Sequence, residues 1–280
     1  MLQKSVDATI NNFLRAGIWI FAFIGLYFIK TKVTLNDLYF AWIVGEVLSL
    51  IYSVYCLRNL NWKVVLVHKI DWKWIFRGIK VSYIFFISGI ALKMFEYSER
   101  FFIQKMINEK IAGIYFFFYN IAYLPYTFFA SVMVINFLPS MIKHYINDEF
   151  EEYNIIKKNF IYSTYCFVLG FYTVTVIFFY IIMKFLINNQ EYENLNQVFF
   201  WLLLSSMTSI FSDIFYLQLY ILKMDRFILF SLLIASSVHI VLNYFLINIF
   251  GIYGVLASKV IVTIVLFLAR WIMLSNLKHG

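Results

Sequence analysis

Eight long apolar stretches, separated by short polar connections, constrain this chain more than any other feature. They cover approximately residues 13–30, 38–57, 78–106, 113–138, 160–187, 197–222, 227–248 and 253–274. A helix needs about 20 apolar residues to cross the hydrocarbon core of a bilayer, and each stretch is close to or above that length. The pattern therefore predicts an all-α integral membrane protein with about eight transmembrane helices, several of them tilted or protruding.

The composition agrees with this class. Hydrophobic residues make up 63% of the chain and charged residues only 14%, whereas soluble domains average about 45–50% apolar and about 25% charged residues. The net charge of +8 lies on connections between apolar stretches, so we expect no nucleic-acid partner. Cys56 and Cys166 both lie within apolar stretches, and we expect no disulfide, metal or cofactor.

Positive charges are unevenly distributed between the connections. If both termini are cytoplasmic, fifteen of the 23 lysines and arginines, Arg270 among them, flank the helices on the inner side. Five would lie on the outer side and three within helices. Cytoplasmic connections carry an excess of Lys and Arg, so we predict a multi-pass protein of the bacterial inner (plasma) membrane with both termini inside. The basic, Trp-rich connection 58–77 is typical of an interfacial segment, with a regulatory role as the alternative.

The segment from Lys93 to Arg100 concentrates charge inside the third predicted helix. At about 100° per residue, Lys93, Glu96 and Arg100 fall within an arc of about 60°, and Glu99 lies about 60° beyond Glu96. Glu96 and Arg100 have the i, i+4 spacing and order that favour an ion pair. Charges inside a membrane helix are costly unless they face protein or water, which suggests a functional cavity. The alternative places the segment in the headgroup region, about 24–35 Å from Arg77.

Short motifs around the fourth predicted helix have a characteristic order. The run Lys110 to Tyr115 (Lys-Ile-Ala-Gly-Ile-Tyr) opens that helix, Pro139 closes it, and Glu99-Arg100 lies just upstream. Near the C-terminus, Asn243 precedes the run 250–258 (Phe-Gly-Ile-Tyr-Gly-Val-Leu-Ala-Ser). Together these motifs resemble the polysaccharide flippases of the multidrug/oligosaccharidyl-lipid/polysaccharide exporter superfamily, especially the O-antigen flippases.

The resemblance implies a division of the chain. Residues 78–280 would form a C-terminal six-helix lobe, from the third to the eighth transmembrane helix, and residues 58–77 a basic cytoplasmic connection. Residues 1–57 would be the last two helices of an N-terminal lobe that is short by about four helices. We therefore expect the missing helices on another chain, or other polysaccharide-assembly proteins, as partners.

The resemblance also implies a function. The family flips an undecaprenyl-diphosphate-linked oligosaccharide repeat unit across the inner membrane for O-antigen or surface polysaccharide biosynthesis, driven by an ion gradient through alternating access. The partners would be this lipid-linked oligosaccharide and the bilayer, with a coupling ion of unspecified identity. Arg100 and Lys93 would bind the diphosphate by charge-assisted hydrogen bonds, and Glu96 and Glu99 would hold these cations in the empty cavity.

Five further polar residues in predicted helices are candidates to line the same cavity: Asn120, Asp213, His239, Asn243 and Lys259. Four of them have a plainer explanation. Lys259 could snorkel to the outer headgroups, and Asp213 could belong to a serine-rich packing face. His239 could be a hydrogen-bonded packing residue rather than a proton carrier, and Asn120 could kink the helix together with Pro125.

Other functions compete with the flippase hypothesis. A membrane enzyme of the same pathway, such as a polymerase or acyltransferase, would need a large external loop, a nucleophile motif or a metal-ligand cluster, and the sequence lacks these. We therefore do not expect an enzyme. A non-transporting remnant or partner subunit is the third hypothesis. A drug exporter is the fourth, although the embedded cations disfavour it.

Overall fold

The computed structural model describes residues 2–30, 33–58, 71–185, 187 and 189–279, and all regular secondary structure in these ranges is helical. In this part of the chain, seven helices are long and apolar enough to cross a membrane. The number is eight if the bent pair Trp72–Lys80 and Ser82–Met106 counts as one transmembrane segment. The structure thus confirms the predicted all-α membrane fold with about eight membrane-spanning helices.

The chain divides into two compact units, Met1–Trp72 and Lys73–Gly280. The boundary falls within the predicted connection 58–77, of which residues 59–70 lie outside the described part of the chain. The first unit contains α1 (Leu2–Ala16), α2 (Ile18–Ile29) and α3 (Leu35–Leu57). Helix α3 packs on α1, where the Ser49 hydroxyl donates a 2.8 Å hydrogen bond to Asn11.

The second unit holds the remaining helices. They are α4 (Trp72–Met106), α5 (Glu109–Ala122), α6 (Leu124–Phe128), a π-helical turn (Phe129–Val134), α7 (Ile135–Ile146), α8 (Phe150–Phe185), α9 (Gln190–Asn194), α10 (Asn196–Ile221), α11 (Asp225–Phe250) and α12 (Ile252–His279). Helices α10, α11 and α12 agree closely with the last three predicted stretches. Helix α8 begins ten residues before its predicted start at 160 and takes in part of the connection between the fourth and fifth predicted helices.

The fourth transmembrane helix, predicted as one element over 113–138, is interrupted in the structure. Helix α5 ends at Ala122, and a second run of helix continues from Leu124 to Ile146. Pro125 explains the interruption, because it lacks an N–H and fits best in the first turn of a helix, where α6 places it. Pro139, predicted to close the helix, lies inside α7.

Aromatic packing holds the second unit together. The rings of Phe179 and Phe199 stack with their centroids 3.8 Å apart, which joins α8 to α10. The Ser206 hydroxyl of α10 donates to the carbonyl oxygen of Ala122 at 2.9 Å, close to the end of α5. These contacts fix α5 and α10 beside each other, and both helices contribute to the polar clusters described below.

A tight turn joins α11 to α12. Gly251 has a φ of +58°, which favours glycine. A Cβ atom on Gly254 would lie 2.1 Å from the carbonyl oxygen of Leu246, so only glycine allows the two helices to approach this closely. The C-terminal glycine motif therefore has a structural explanation in this turn.

Candidate functional site

Glu99 is the only acid on the buried face of α4 within the described residues, and it is completely inaccessible to solvent. The buried face repeats every four residues at Ala91, Phe95, Glu99 and Ile103, the spacing of one side of a helix. Glu99 therefore points into the helix bundle, whereas the neighbouring Lys93 is exposed.

The Glu99 carboxylate receives hydrogen bonds from three other helices. The Lys259 ammonium on α12 lies 2.8 Å from each carboxylate oxygen. The Tyr115 hydroxyl on α5 donates to Oε2, and Nε2 of His239 on α11 lies 2.8 Å from Oε1. Since Nδ1 of His239 lies 2.9 Å from the Ser258 hydroxyl, a neutral imidazole that donates to Glu99 also has its second nitrogen satisfied.

Aromatic rings surround the Lys259 ammonium. Its Nζ lies 4.9 Å from the ring centroid of Tyr119, 5.1 Å from that of Tyr123 and 5.5 Å from that of Phe95. These distances permit cation–π attraction. Lys259 is only 1% exposed, so the snorkelling alternative is wrong. A metal ion could bind Glu99 only by displacing this ammonium.

Asn243 extends the buried cluster by one turn of α11. It is completely buried, and its Nδ2 lies 3.5 Å from the Ser98 hydroxyl oxygen. Its Oδ1 has no hydrogen-bond partner among the described residues. The structure thus brings together Glu99, His239, Asn243 and Lys259, four of the nine predicted site residues.

Lys93, Glu96 and Arg100 lie on a different, outer face of α4. The Lys93 ammonium donates to Glu96 at 2.7 Å, and the two side chains are 60% and 30% exposed. Glu96 therefore pairs with Lys93, and the predicted ion pair with Arg100 is not formed. The Arg100 guanidinium lies 3.9 Å from the ring centroid of Phe116 and 5.1 Å from that of Tyr119, and its Nε has no partner in the described part of the chain.

Asp213 belongs to a second buried cluster. Nη1 of Arg270 lies 3.0 Å from Asp213 Oδ1 and 2.8 Å from the Ser212 hydroxyl, and the Tyr126 hydroxyl donates to Oδ2 at 2.8 Å. Arg270, expected from the sequence to flank α12, is only 7% exposed and pairs with Asp213, whose side chain is 22% exposed. Asn120 is exposed on α5.

Sequence reasoning missed the tyrosines that serve both clusters. Tyr115, Tyr119, Tyr123 and Tyr126 follow each other at spacings of four, four and three residues, so they form one helical stripe. Tyr115 donates to Glu99, and Tyr126 donates to Asp213. This regular spacing of hydroxyl groups, in a segment otherwise rich in Phe, could have predicted a polar stripe from the sequence alone.

No protein-family model, curated protein or solved structure matches this chain. Within the described residues, no group of three or more His, Cys, Asp or Glu side chains is placed to hold a metal ion. The fold is that of a multi-pass helical membrane protein, and the flippase resemblance stays a prediction.

Proposed function

We propose that this chain acts in translocating an undecaprenyl-diphosphate-linked oligosaccharide across the bacterial inner membrane for surface polysaccharide biosynthesis, with both of its termini in the cytoplasm. The observation that carries the proposal is the cationic outer face of α4. Arg100 on this face has an unpaired Nε among the described residues, and the side chain of Lys93 is 60% exposed.

The cost of charge in a bilayer supports this proposal. Ionised side chains on a membrane helix must face water or protein rather than lipid, so the Lys93–Arg100 face is suited to line a hydrated passage. Arg presents a planar fork of N–H donors that matches the oxygens of a phosphate. Stacking on Phe116 orients the Arg100 guanidinium without consuming these donors.

The buried cluster has a supporting role in the proposal. Glu99 lies next to Arg100 in sequence, but its carboxylate already accepts hydrogen bonds from Lys259, His239 and Tyr115. Glu99 therefore leaves the charge of Arg100 available to an anionic ligand. The same bonds fasten α4 to α5, α11 and α12, which fixes the orientation of the cationic face.

An Arg100→Ala substitution tests the proposal in cells whose surface glycan depends on this protein. We expect loss of the surface glycan and accumulation of its lipid-linked repeat unit, with the amount of protein in the membrane unchanged. Lys105→Ala, which removes an exposed cation at the end of the same helix, is the matched control. Normal surface glycan in the Arg100 variant would refute the assignment.

The same cells distinguish the competing functions. A polymerase defect would shorten the glycan chains rather than abolish their export, and a drug exporter would lose resistance to organic cations with the glycan intact. Either result would favour that alternative over the flippase.

A further inference from the structure

A separate cavity opens in the second unit beside the Asp213–Arg270 pair. Its volume is about 310 Å³, at the lower end of the range for small-molecule sites. One wall is formed by the middle of α4, with Ile84, Phe85 and Gly89, and another by the first part of α11, with Ile228 and Leu232. These two walls are mostly apolar, with Ser88 as the polar residue on α4, and the charged groups of the cavity are Asp213, Asp225 and Arg270.

Arg270 has hydrogen-bonding capacity left over at this cavity. It is 7% exposed, and the bonds to Ser212 and Asp213 are both made by Nη1. Its Nε has no partner in the described part of the chain. Arg270 also lines the cavity, and buried donors in native proteins are nearly always paired, so the remaining N–H groups of this guanidinium are suited to an acceptor from outside the protein, such as a phosphate oxygen.

Asp225 brings a negative charge to the same cavity. It is the first residue of α11 and is partly buried. Asp213 differs from it, because both Asp213 oxygens already accept hydrogen bonds, from Arg270 and Tyr126. A purely anionic ligand would be repelled by Asp225, and a purely cationic ligand would be repelled by Arg270. The complement of this lining is a group that carries both charges.

We propose that this cavity binds a zwitterionic aminoethyl phosphate group, with the phosphate at Arg270 and the ammonium at Asp225. Two sources share this chemistry, an ethanolamine phospholipid and soluble phosphoethanolamine. The apolar walls on α4 and α11 suit the acyl chains of the phospholipid. The site does not depend on the Lys93–Arg100 face or on the flippase proposal.

Native mass spectrometry of the whole protein tests this site. The protein is released from micelles that contain equal amounts of ethanolamine, glycerol and choline phospholipids with identical acyl chains. We expect several-fold preferential retention of the ethanolamine phospholipid. Displacement by millimolar soluble phosphoethanolamine would assign the site to the free compound, and its failure would assign it to the lipid. Equal retention of ethanolamine and glycerol phospholipids would overturn the proposal.

Two variants locate the binding within the cavity. Asp225→Asn removes the partner of the ammonium and is expected to abolish the preference for ethanolamine over glycerol phospholipid. Glu109→Gln, which changes an exposed acid in the first turn of α5, is the matched control. Gly89→Leu fills the cavity, because a Cβ at Gly89 meets no atom within 4 Å, and is expected to prevent lipid retention. An unchanged preference in Asp225→Asn, or full retention in Gly89→Leu, would place the lipid elsewhere.

Discussion

Removing the charge of Glu99 should destabilise the second unit severely. In Glu99→Gln, the Lys259 ammonium remains 1% exposed but loses a carboxylate that contacts it twice at 2.8 Å. Breaking one partner out of a buried ion pair typically costs about 3–5 kcal/mol, because an uncompensated charge is left in a low dielectric. The rings of Tyr119 and Tyr123 recover only part of this, since cation–π contacts contribute about 0.5–2 kcal/mol.

A second substitution should restore much of the loss. Glu99→Gln with Lys259→Met removes both charges, and replacing a buried pair by uncharged residues of similar volume is often close to neutral. We therefore expect a coupling energy of about 2–3 kcal/mol between the two sites, within the range for residues in direct contact. Glu96→Gln is the control, because it makes the same change three residues earlier in an exposed ion pair, where about 0–1 kcal/mol is expected.

The assay is the free energy of unfolding of the purified protein in mixed micelles, measured by titration with denaturing detergent. The wild type, both single variants, the double variant and the Glu96 control are compared under the same conditions. A loss in the double variant equal to the sum of the two single losses would show that the charges are not coupled. Equal losses in Glu99→Gln and Glu96→Gln would show that burial of Glu99 has no energetic consequence.

Two further predictions concern single contacts, and the same unfolding assay measures both. Gly254→Ala should destabilise by about 1–3 kcal/mol because its Cβ would clash with the α11 backbone. Gly113→Ala, where a Cβ meets no atom within 4 Å, should instead stabilise by about 0.5–1 kcal/mol. A Gly254→Ala variant as stable as the wild type would refute the turn geometry. Tyr126→Phe should cost about 1–3 kcal/mol because Asp213 Oδ2 loses its donor. Tyr162→Phe, at a side chain that is 72% exposed, should stay within about 0.5 kcal/mol, and equal losses at the two tyrosines would contradict the bond.

The membrane fold was predictable because the length of an apolar stretch fixes a membrane helix almost by itself. The interruption of the fourth helix was harder to place. Pro125 and Asn120 indicated a kink, but a proline in a membrane helix either bends it or ends it, depending on whether neighbouring groups satisfy the freed carbonyls. Here α5 ends at Ala122 and α6 begins at Leu124, with Pro125 in its first turn.

The site was only partly predictable, for a related reason. In a soluble helix the apolar stripe identifies the buried face, but α4 is apolar on nearly all sides, so its periodicity does not distinguish bundle from lipid. The spacing of the charged residues therefore led to the prediction that Lys93, Glu96 and Arg100 form the functional stripe. The buried acid is Glu99, and its main partner, Lys259, lies 160 residues away in sequence. Only the tertiary structure brings the two together.

The two clusters have the same composition, a cation from α12 and a tyrosine from α5 or α6, and the difference in their acids explains where the cavity opens. Lys259 and Arg270 are eleven residues apart on α12, and Tyr115 and Tyr126 are eleven residues apart on α5 and α6. Eleven residues make about three helical turns, or about 16 Å, so each cluster combines one cation and one tyrosine at its own level.

The acids come from different helices at the two levels. At the Lys259 level the acid is Glu99 on α4, whereas at the Arg270 level α10 supplies the acid, Asp213. An ion pair therefore holds α4 in the bundle at one level. At the other level its described residues contribute apolar side chains, Ser88 and a glycine beside Arg270, but no charged side chain. The cavity opens where α4 lacks the acid that would draw it against α12.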